Sequence, residues 1–245
     1  MPSSPLAETE LACVGIDLTE KSEVWRELAL PWASPAELAY AQRFRHRQDA
    51  TLHLVGRALL RTLLARELGT TVLTVDFSTN RWGKPVLPGS RLEFSISHSG
   101  NAVWVALCRG IAVGIDVEKM DATIDPHTLA EMLHPAEHAE LLTLSKDEAQ
   151  QAFLRCWTRK EAVIKAIGEG LQRPLASFRV RTDESVSDWI SEVPDIPVAG
   201  WSAADLPTLS GYSASVAAMA PGLSISSYRL EAADYAALGG PAAFP

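Results

Sequence analysis

Gly114-Ile115-Asp116-Val117-Glu118 sets two carboxylates two residues apart at the end of an apolar run. A strand repeats every second residue, so both acids point to one face. Like charges held side by side repel. A hard divalent cation such as Mg²⁺ relieves that repulsion and keeps coordination sites for phosphate oxygens. The competing reading is a strand that has ended, with its acids wet. Glu161 and Lys165, four residues apart, share an edge of a helical stripe made by Phe153, Cys156, Trp157, Ile164 and Ile167. They add an acid and a cation to the case, although the same spacing is the ordinary ion pair of a surface helix. Lys160 falls in the middle of that stripe. A charge placed there must snorkel or bind something, which predicts a groove beside this end of the helix.

The first half of the chain offers cations and small donors. Residues 43–91 hold nine Arg or Lys against three acids, a net +6 on a chain whose total is −8. A local basic surface on an acidic protein suits a small polyanion, the alternative being a run of solvated helix arginines. Phe94-Ser95-Ile96-Ser97-His98-Ser99-Gly100 ends a run of strand character with hydroxyls, a His and a Gly, all able to place donors on a phosphate. Arg81-Trp82-Gly83-Lys84-Pro85 adds two cations and an aromatic face in a tight loop, which could cradle a nucleotide.

These groups need elements to hold them. Leu11 to Asp17 reads as a strand, and Ser34-Pro35-Ala36-Glu37 is a capping box with proline at the first helical position. Asp49 caps a second helix, with Leu52, Val55, Leu59 and Leu63 on one stripe, Arg57 off it, and Gly69 as its end. Val72 to Phe77 and Leu92 to Ile96 read as strands; Ala102 to Cys108 and Ile111 to Val117 read as a β-hairpin about Arg109-Gly110. Asp125-Pro126 opens a helix, His134-Pro135 restarts it, and Asp147 begins a long one that Gly168 or Gly170 ends. Phe178 to Arg181 and Ser213 to Ala218 are strands, while residues 182–211 and the Ala/Pro-rich tail after Glu231 carry no readable chemistry. The order strand, helices, strands thus occurs twice, predicting an α+β fold of two similar halves, residues 1–115 and 116–230, with a tail over 231–245.

With 47% hydrophobic and 21% charged residues, the chain is neither wholly disordered nor fibrous. It shows no apolar run long enough for a membrane span and no secretory start, and its acidity disfavours nucleic acid. A soluble, cytoplasmic protein is expected. Cys13, Cys108 and Cys156, odd in number and set in apolar runs, read as buried free thiols, and the lack of a CxxC pair disfavours zinc.

Taken together, Gly83-Lys84-Pro85, Phe94 to Ser99, Gly114 to Glu118 and Phe153-Leu154-Arg155-Cys156-Trp157-Thr158-Arg159-Lys160-Glu161-Ala162-Val163-Ile164-Lys165 occur in the order and spacing of one family. The sequence resembles the 4′-phosphopantetheinyl transferases of the surfactin-synthetase-activating type over roughly residues 34–180. That resemblance implies a pseudo-twofold α+β monomer that binds coenzyme A in the cleft between its halves. It implies transfer of the phosphopantetheine arm to a serine of an apo acyl or peptidyl carrier protein, with release of 3′,5′-ADP. By motif position Asp116, Glu118 and Glu161 would hold Mg²⁺, with Mn²⁺ as a substitute; His98 and Lys165 would contact the diphosphate; Glu161 would deprotonate the serine. Lys84, Ser97 and Arg81 would hold the 3′-phosphate end. Where the family commonly carries a basic residue this chain has Tyr40, so Arg43, Arg45, Arg47 or Arg57 would take its place. Glu137 resembles a further family glutamate. Carriers are acidic, so recognition by a chain of charge −8 should be apolar and local, in a groove near Ala162 and Leu171. The alternatives are a Mg²⁺ phosphodiesterase that uses water and a non-catalytic carrier-binding module.

Overall fold

A computed structural model describes residues 5–19, 21–72, 75–81, 84–184 and 189–239. In chain order the elements are β1 (Glu10–Asp17), α1 (Ser22–Ala29), α2 (Pro35–Ala41), α3 (Arg47–Leu68), β2 (Ser78–Thr79), β3 (Pro85–Val86), β4 (Leu92–Ser99), β5 (Ala102–Arg109) and β6 (Val113–Lys119). There follow α4 (Pro126–Ala130), α5 (Pro135–Leu141), α6 (Lys146–Ile167), β7 (Arg179–Val180), β8 (Ile190–Glu192), β9 (Ser202–Asp205), β10 (Tyr212–Ala218), β11 (Ser224–Leu230) and α7 (Ala232–Gly239).

Two sheets lie between two long helices. The first has the strand order β11-β1-β5-β4 and the second β6-β10-β9. One face of the first sheet, through Val14, Ile16, Phe94, Val103 and Val105, packs on α3. Its other face, through Leu11, Cys13, Trp104 and Ala106, meets Val113, Ile115 and Val117 of β6 and Ala214 and Val216 of β10. α6 covers the far side of the second sheet. The pleat therefore decides where the acids go: with Val113, Ile115 and Val117 turned to the first sheet, Gly114, Asp116 and Glu118 turn towards α6.

The halves repeat one design. Ser34 and His134 each cap a helix that begins Pro-Ala-Glu, and in both capping boxes the glutamate side chain returns to the cap nitrogen. α3 and α6 are each 22 residues long and end on a left-handed glycine, Gly69 and Gly168. On the fifteenth residue of each sits a buried cation paired with that glutamate: Arg61 Nη1 with Glu37 Oε2 at 2.8 Å, Lys160 Nζ with Glu137 Oε2 at 2.8 Å.

Several sequence expectations are corrected. β5 and β6 are not a hairpin, because β5 pairs with β1 and β4 while β6 pairs with β10. The turn at Arg109-Gly110 instead carries the chain from one sheet to the other, and the true hairpin is β4–β5 about Gly100-Asn101. No strand forms over the described residues of 72–77; Val72 and Val75 are single core contacts. α3 is capped at His46, placing Asp49 inside its first turn. The quiet C-terminal stretch also contains structure: β11 pairs in parallel with β1, and Tyr235 of α7 packs on Trp25 at 5.6 Å. Thus the strand Ser224–Leu230, numbered within the second half, completes the first sheet. The three cysteines are buried and free.

Candidate active site

α6 lies directly on β6 because Gly114 has no side chain. A Cβ there would collide with the Ala162 carbonyl oxygen and the Ala166 nitrogen, and would stand 2.8 Å from Lys165 Cβ. This close approach sets Glu161 and Lys165 beside Asp116. On the other side β4 lies along β6, and its alternating serines supply the contacts. Ser95 Oγ accepts from Ile115 N at 3.1 Å, Ser97 Oγ donates to Asp116 Oδ1 at 2.8 Å, and Ser99 Oγ donates to Glu118 Oε2 at 2.7 Å. Ser99 Oγ also accepts from Lys119 N at 3.1 Å. These hydroxyls stitch one half to the other, a role beyond that of the phosphate donors expected from the sequence. The signal available was their period of two.

Asp116 is 2% exposed. Lys165 Nζ donates to its Oδ1 at 2.6 Å, to Ser97 Oγ at 3.0 Å and to the Ile115 carbonyl at 3.1 Å. The other Asp116 oxygen, Oδ2, and Glu161 Oε1 are buried without a hydrogen-bond partner. Burial, followed by the negative charge of Asp116, raises the Glu161 carboxyl above the usual range. Glu118 is raised too, first by burial and then by Asp116 and Glu161, against the lowering effect of Ser99 and Lys165. Two orphaned oxygens and three mutually repelling carboxylates are a donor set that a hard cation would complete. Among the described residues, however, no three His, Cys, Asp or Glu side chains stand ready to hold a metal ion. Lys165 occupies the Asp116 oxygen and Ser99 holds Glu118, so binding would require these side chains to regroup.

His98 stands one residue before the end of β4. Desolvation by its surroundings, then the charges of Lys165 and Arg57, hold the imidazole below its ordinary value. Nearby, His53 lies 4.9 Å from the Tyr40 ring and 5.5 Å from Phe44, and its Nε2 is buried without a partner. Burial, with help from Arg57 and His98, takes His53 from 6.5 to about 4. Half-buried Arg57 lies over Phe77 at 5.7 Å, and Arg43 over Tyr40 at 5.6 Å. Arg47 is paired with Glu23, Arg45 and Arg81 are exposed, and Trp82 and Gly83 lie outside the described residues. Lys84 donates to the carbonyls of Val113 at 3.1 Å and Lys165 at 2.8 Å, tying its loop to the end of α6. The structure therefore brings Ser97, Asp116, Glu118, Glu161 and Lys165 together, with His98 near Lys165; Lys84 reaches the backbone of Val113 and Lys165, and Arg57 lies over Phe77.

Two expectations fail. Lys160 faces no groove: it is 0% exposed and donates to Leu175 O at 2.8 Å and Phe178 O at 2.6 Å besides its bond to Glu137. Glu137 also accepts from Val180 N at 2.7 Å, so this pair fastens α5 and β7 to α6. Ala162 is fully buried and cannot line a docking groove, and the Leu171 side chain lies outside the described residues. An apolar groove of this half, about 230 Å³, is bordered by Glu118 and lined by Met120, Ile124, Leu129, Phe153 and Trp157.

Similarity to known proteins agrees with this geometry. Residues 112–217 match the family described as the 4′-phosphopantetheinyl transferase superfamily, and residues 21–109 match the 4′-phosphopantetheinyl transferase N-terminal family. The chain is 34% identical over 177 residues to the 4′-phosphopantetheinyl transferase Sfp of Bacillus subtilis, covering 71% of this chain and 77% of that protein. It is 33% identical over 177 residues to the 4′-phosphopantetheinyl transferase HetI of Nostoc, covering 70% and 74%. The human L-aminoadipate-semialdehyde dehydrogenase-phosphopantetheinyl transferase is 31% identical over 158 residues, 59% of this chain and 51% of that one. Two adjoining family matches, extended identity and a pseudo-twofold α+β fold with its site between the halves lead to one conclusion: the chain belongs to the 4′-phosphopantetheinyl transferase superfamily.

Proposed function

We propose that the protein moves the 4′-phosphopantetheine arm of coenzyme A onto a serine hydroxyl of an apo acyl or peptidyl carrier protein, releasing 3′,5′-ADP. The observation that carries this reading is the meeting of Ser97 from one half with Asp116, Lys165 and the orphaned oxygen of Glu161 from the other. In the transfer the serine oxygen bonds to the phosphorus that carries the pantetheine arm, and the bond from that phosphorus to the bridging oxygen breaks. Glu161, made more basic by its surroundings, accepts the serine proton. Lys165 brings positive charge to the diphosphate, where negative charge grows on the leaving oxygen, and His98 faces the same phosphates. Asp116, Glu118 and Glu161 are the residues that would hold Mg²⁺ or Mn²⁺. Such an ion, when bound, neutralises the diphosphate.

Residues 1–115 would take the nucleotide end of coenzyme A, with Arg43 or Arg57 in place of the cation absent at Tyr40. Residues 116–230 would supply the acids and receive the carrier. The apolar groove beside Glu118 suits the pantetheine arm and a carrier helix, since an acidic carrier gains nothing from the net charge of −8. Both halves of the cleft come from one chain, so a monomer suffices, and buried free thiols accord with a reducing cytoplasm. No helix among the described residues is long and apolar enough to cross a membrane.

The test is incubation with coenzyme A, Mg²⁺ and a panel of apo carriers from fatty-acid, polyketide and peptide synthases, followed by mass spectrometry. A carrier heavier by one phosphopantetheine is the expected product. Consumption of coenzyme A with unmodified carriers would mean hydrolysis by water instead, and binding without consumption would mean a binding module.

A further inference from the structure

A buried file of hydroxyls joins α6 to β10 one turn before Glu161. Thr158 Oγ1 lies 3.0 Å from both Ser213 Oγ and Ser215 Oγ. Ser215 Oγ donates to Asp205 Oδ1 at 2.9 Å, and that carboxylate is held by Arg159, whose Nε donates to Oδ1 at 3.1 Å. Thr158, Arg159 and Ser215 are all 0% exposed. Each hydroxyl has one proton to give. Ser215 gives its proton to the Asp205 carboxylate, while the Thr158 proton has two acceptors within reach, the Arg155 carbonyl at 3.1 Å and Ser215 Oγ at 3.0 Å. The three hydroxyls thus form one cluster between α6 and β10, anchored by the Asp205–Arg159 charge pair.

Its register is what ties it to the site. In the β6–β10 ladder Ser215 stands opposite Asp116 and Ser213 opposite Glu118. Directly opposed residues share a face, so Thr158 grips β10 at the two positions level with the two acids of β6. Glu161 follows three residues later on the same helix, and its Oε1 is buried without a hydrogen-bond partner that would fix it independently.

We infer that Thr158 is a positioning residue that sets the height and rotation of Glu161 relative to Asp116 and Glu118 through its hydroxyl contacts to Ser213 and Ser215. The inference rests on the reading above that Glu161 accepts the serine proton. Thr158→Val keeps the shape and removes the hydroxyl, whereas Thr158→Ser restores it. With an apo carrier as substrate, Thr158→Val should lower kcat about tenfold, since small misplacements at a reacting centre are costly. The KM for coenzyme A, and its affinity measured by calorimetry without carrier, should stay within about twofold. Thr158→Ser should return kcat to within about twofold of the parent. An unimpaired Thr158→Val enzyme, a Thr158→Ser enzyme as slow as the valine variant, or a loss seen wholly in coenzyme A binding would each overturn the inference. If Thr158→Val does not fold, Ser213→Ala at the open end of the file takes its place, with about a threefold loss in kcat expected and parental turnover overturning the idea. A parent protein that transfers nothing overturns the proposed function and this inference with it; an active parent with an unaffected variant overturns the inference alone.

Discussion

Glu161 combines a raised carboxyl, an orphaned buried oxygen and a place beside Asp116, which together make it the best base in the site. Glu161→Gln is nearly isosteric, so we expect turnover to fall by at least about a hundredfold while thermal unfolding moves by no more than about 2 °C; a fully active variant would remove the assignment. His53 allows a test of pH dependence. Its folded state titrates at about 4 against an ordinary 6.5, so the unfolded chain takes up the proton first as pH falls. The stability His53 contributes is present above 6.5 and is lost as pH falls towards 4. Urea midpoints measured at neutral and mildly acidic pH should therefore drop less for His53→Gln than for the parent, and equal drops would show that another group governs the acid limb. The acids and Lys165 were legible in the sequence because their spacing matches strand and helix periods. The hydroxyls that orient them were not, since a serine that bonds a carboxylate reads the same as one that faces water.

Among the elements, α6 carries the most constraints. Just past its midpoint it is fastened by Thr158 and Arg159, its last turns sit on Gly114, and its hidden face carries the Lys160–Glu137 pair. Removing one partner of a buried pair leaves an uncompensated charge, so Glu137→Gln should destabilise the protein by about 3–5 kcal/mol, measured by denaturant unfolding; a change below about 1 kcal/mol would mean that the backbone carbonyls around Lys160 suffice. Both long helices, the capping box at Ser34 and β1, β4 and β6 could be placed from periodicity and cap residues. Lys160 was misread because a cation on an apolar stripe has two solutions, a groove or a buried partner. The partner lay 23 positions earlier, in a different helix.

For the molecule as a whole, the decisive contact joins its two ends. β11 lies along β1 in parallel from Glu10 opposite Ser224 to Ile16 opposite Leu230, and α7 closes over Trp25. Without β11 the first sheet would present β1 as an open edge, a template for aggregation. Residues 1–115 expressed alone should therefore be insoluble or lack a cooperative unfolding transition, and joining residues 219–239 to them through a flexible linker should restore one. Cooperative unfolding of 1–115 alone would show that the first sheet needs only three strands.

Local chemistry determined the long helices and their glycine ends, the alternation that puts Asp116 and Glu118 on one face, and the family motifs, because each depends on residues within a turn or a strand of one another. Tertiary structure alone decided that β5 and β6 part into separate sheets, that β11 returns to β1, that Lys160 meets Glu137 and that Thr158 meets Ser213 and Ser215. Those contacts join residues far apart in the chain. Their energies come from burial and from matched polar groups, which no local pattern of residues encodes.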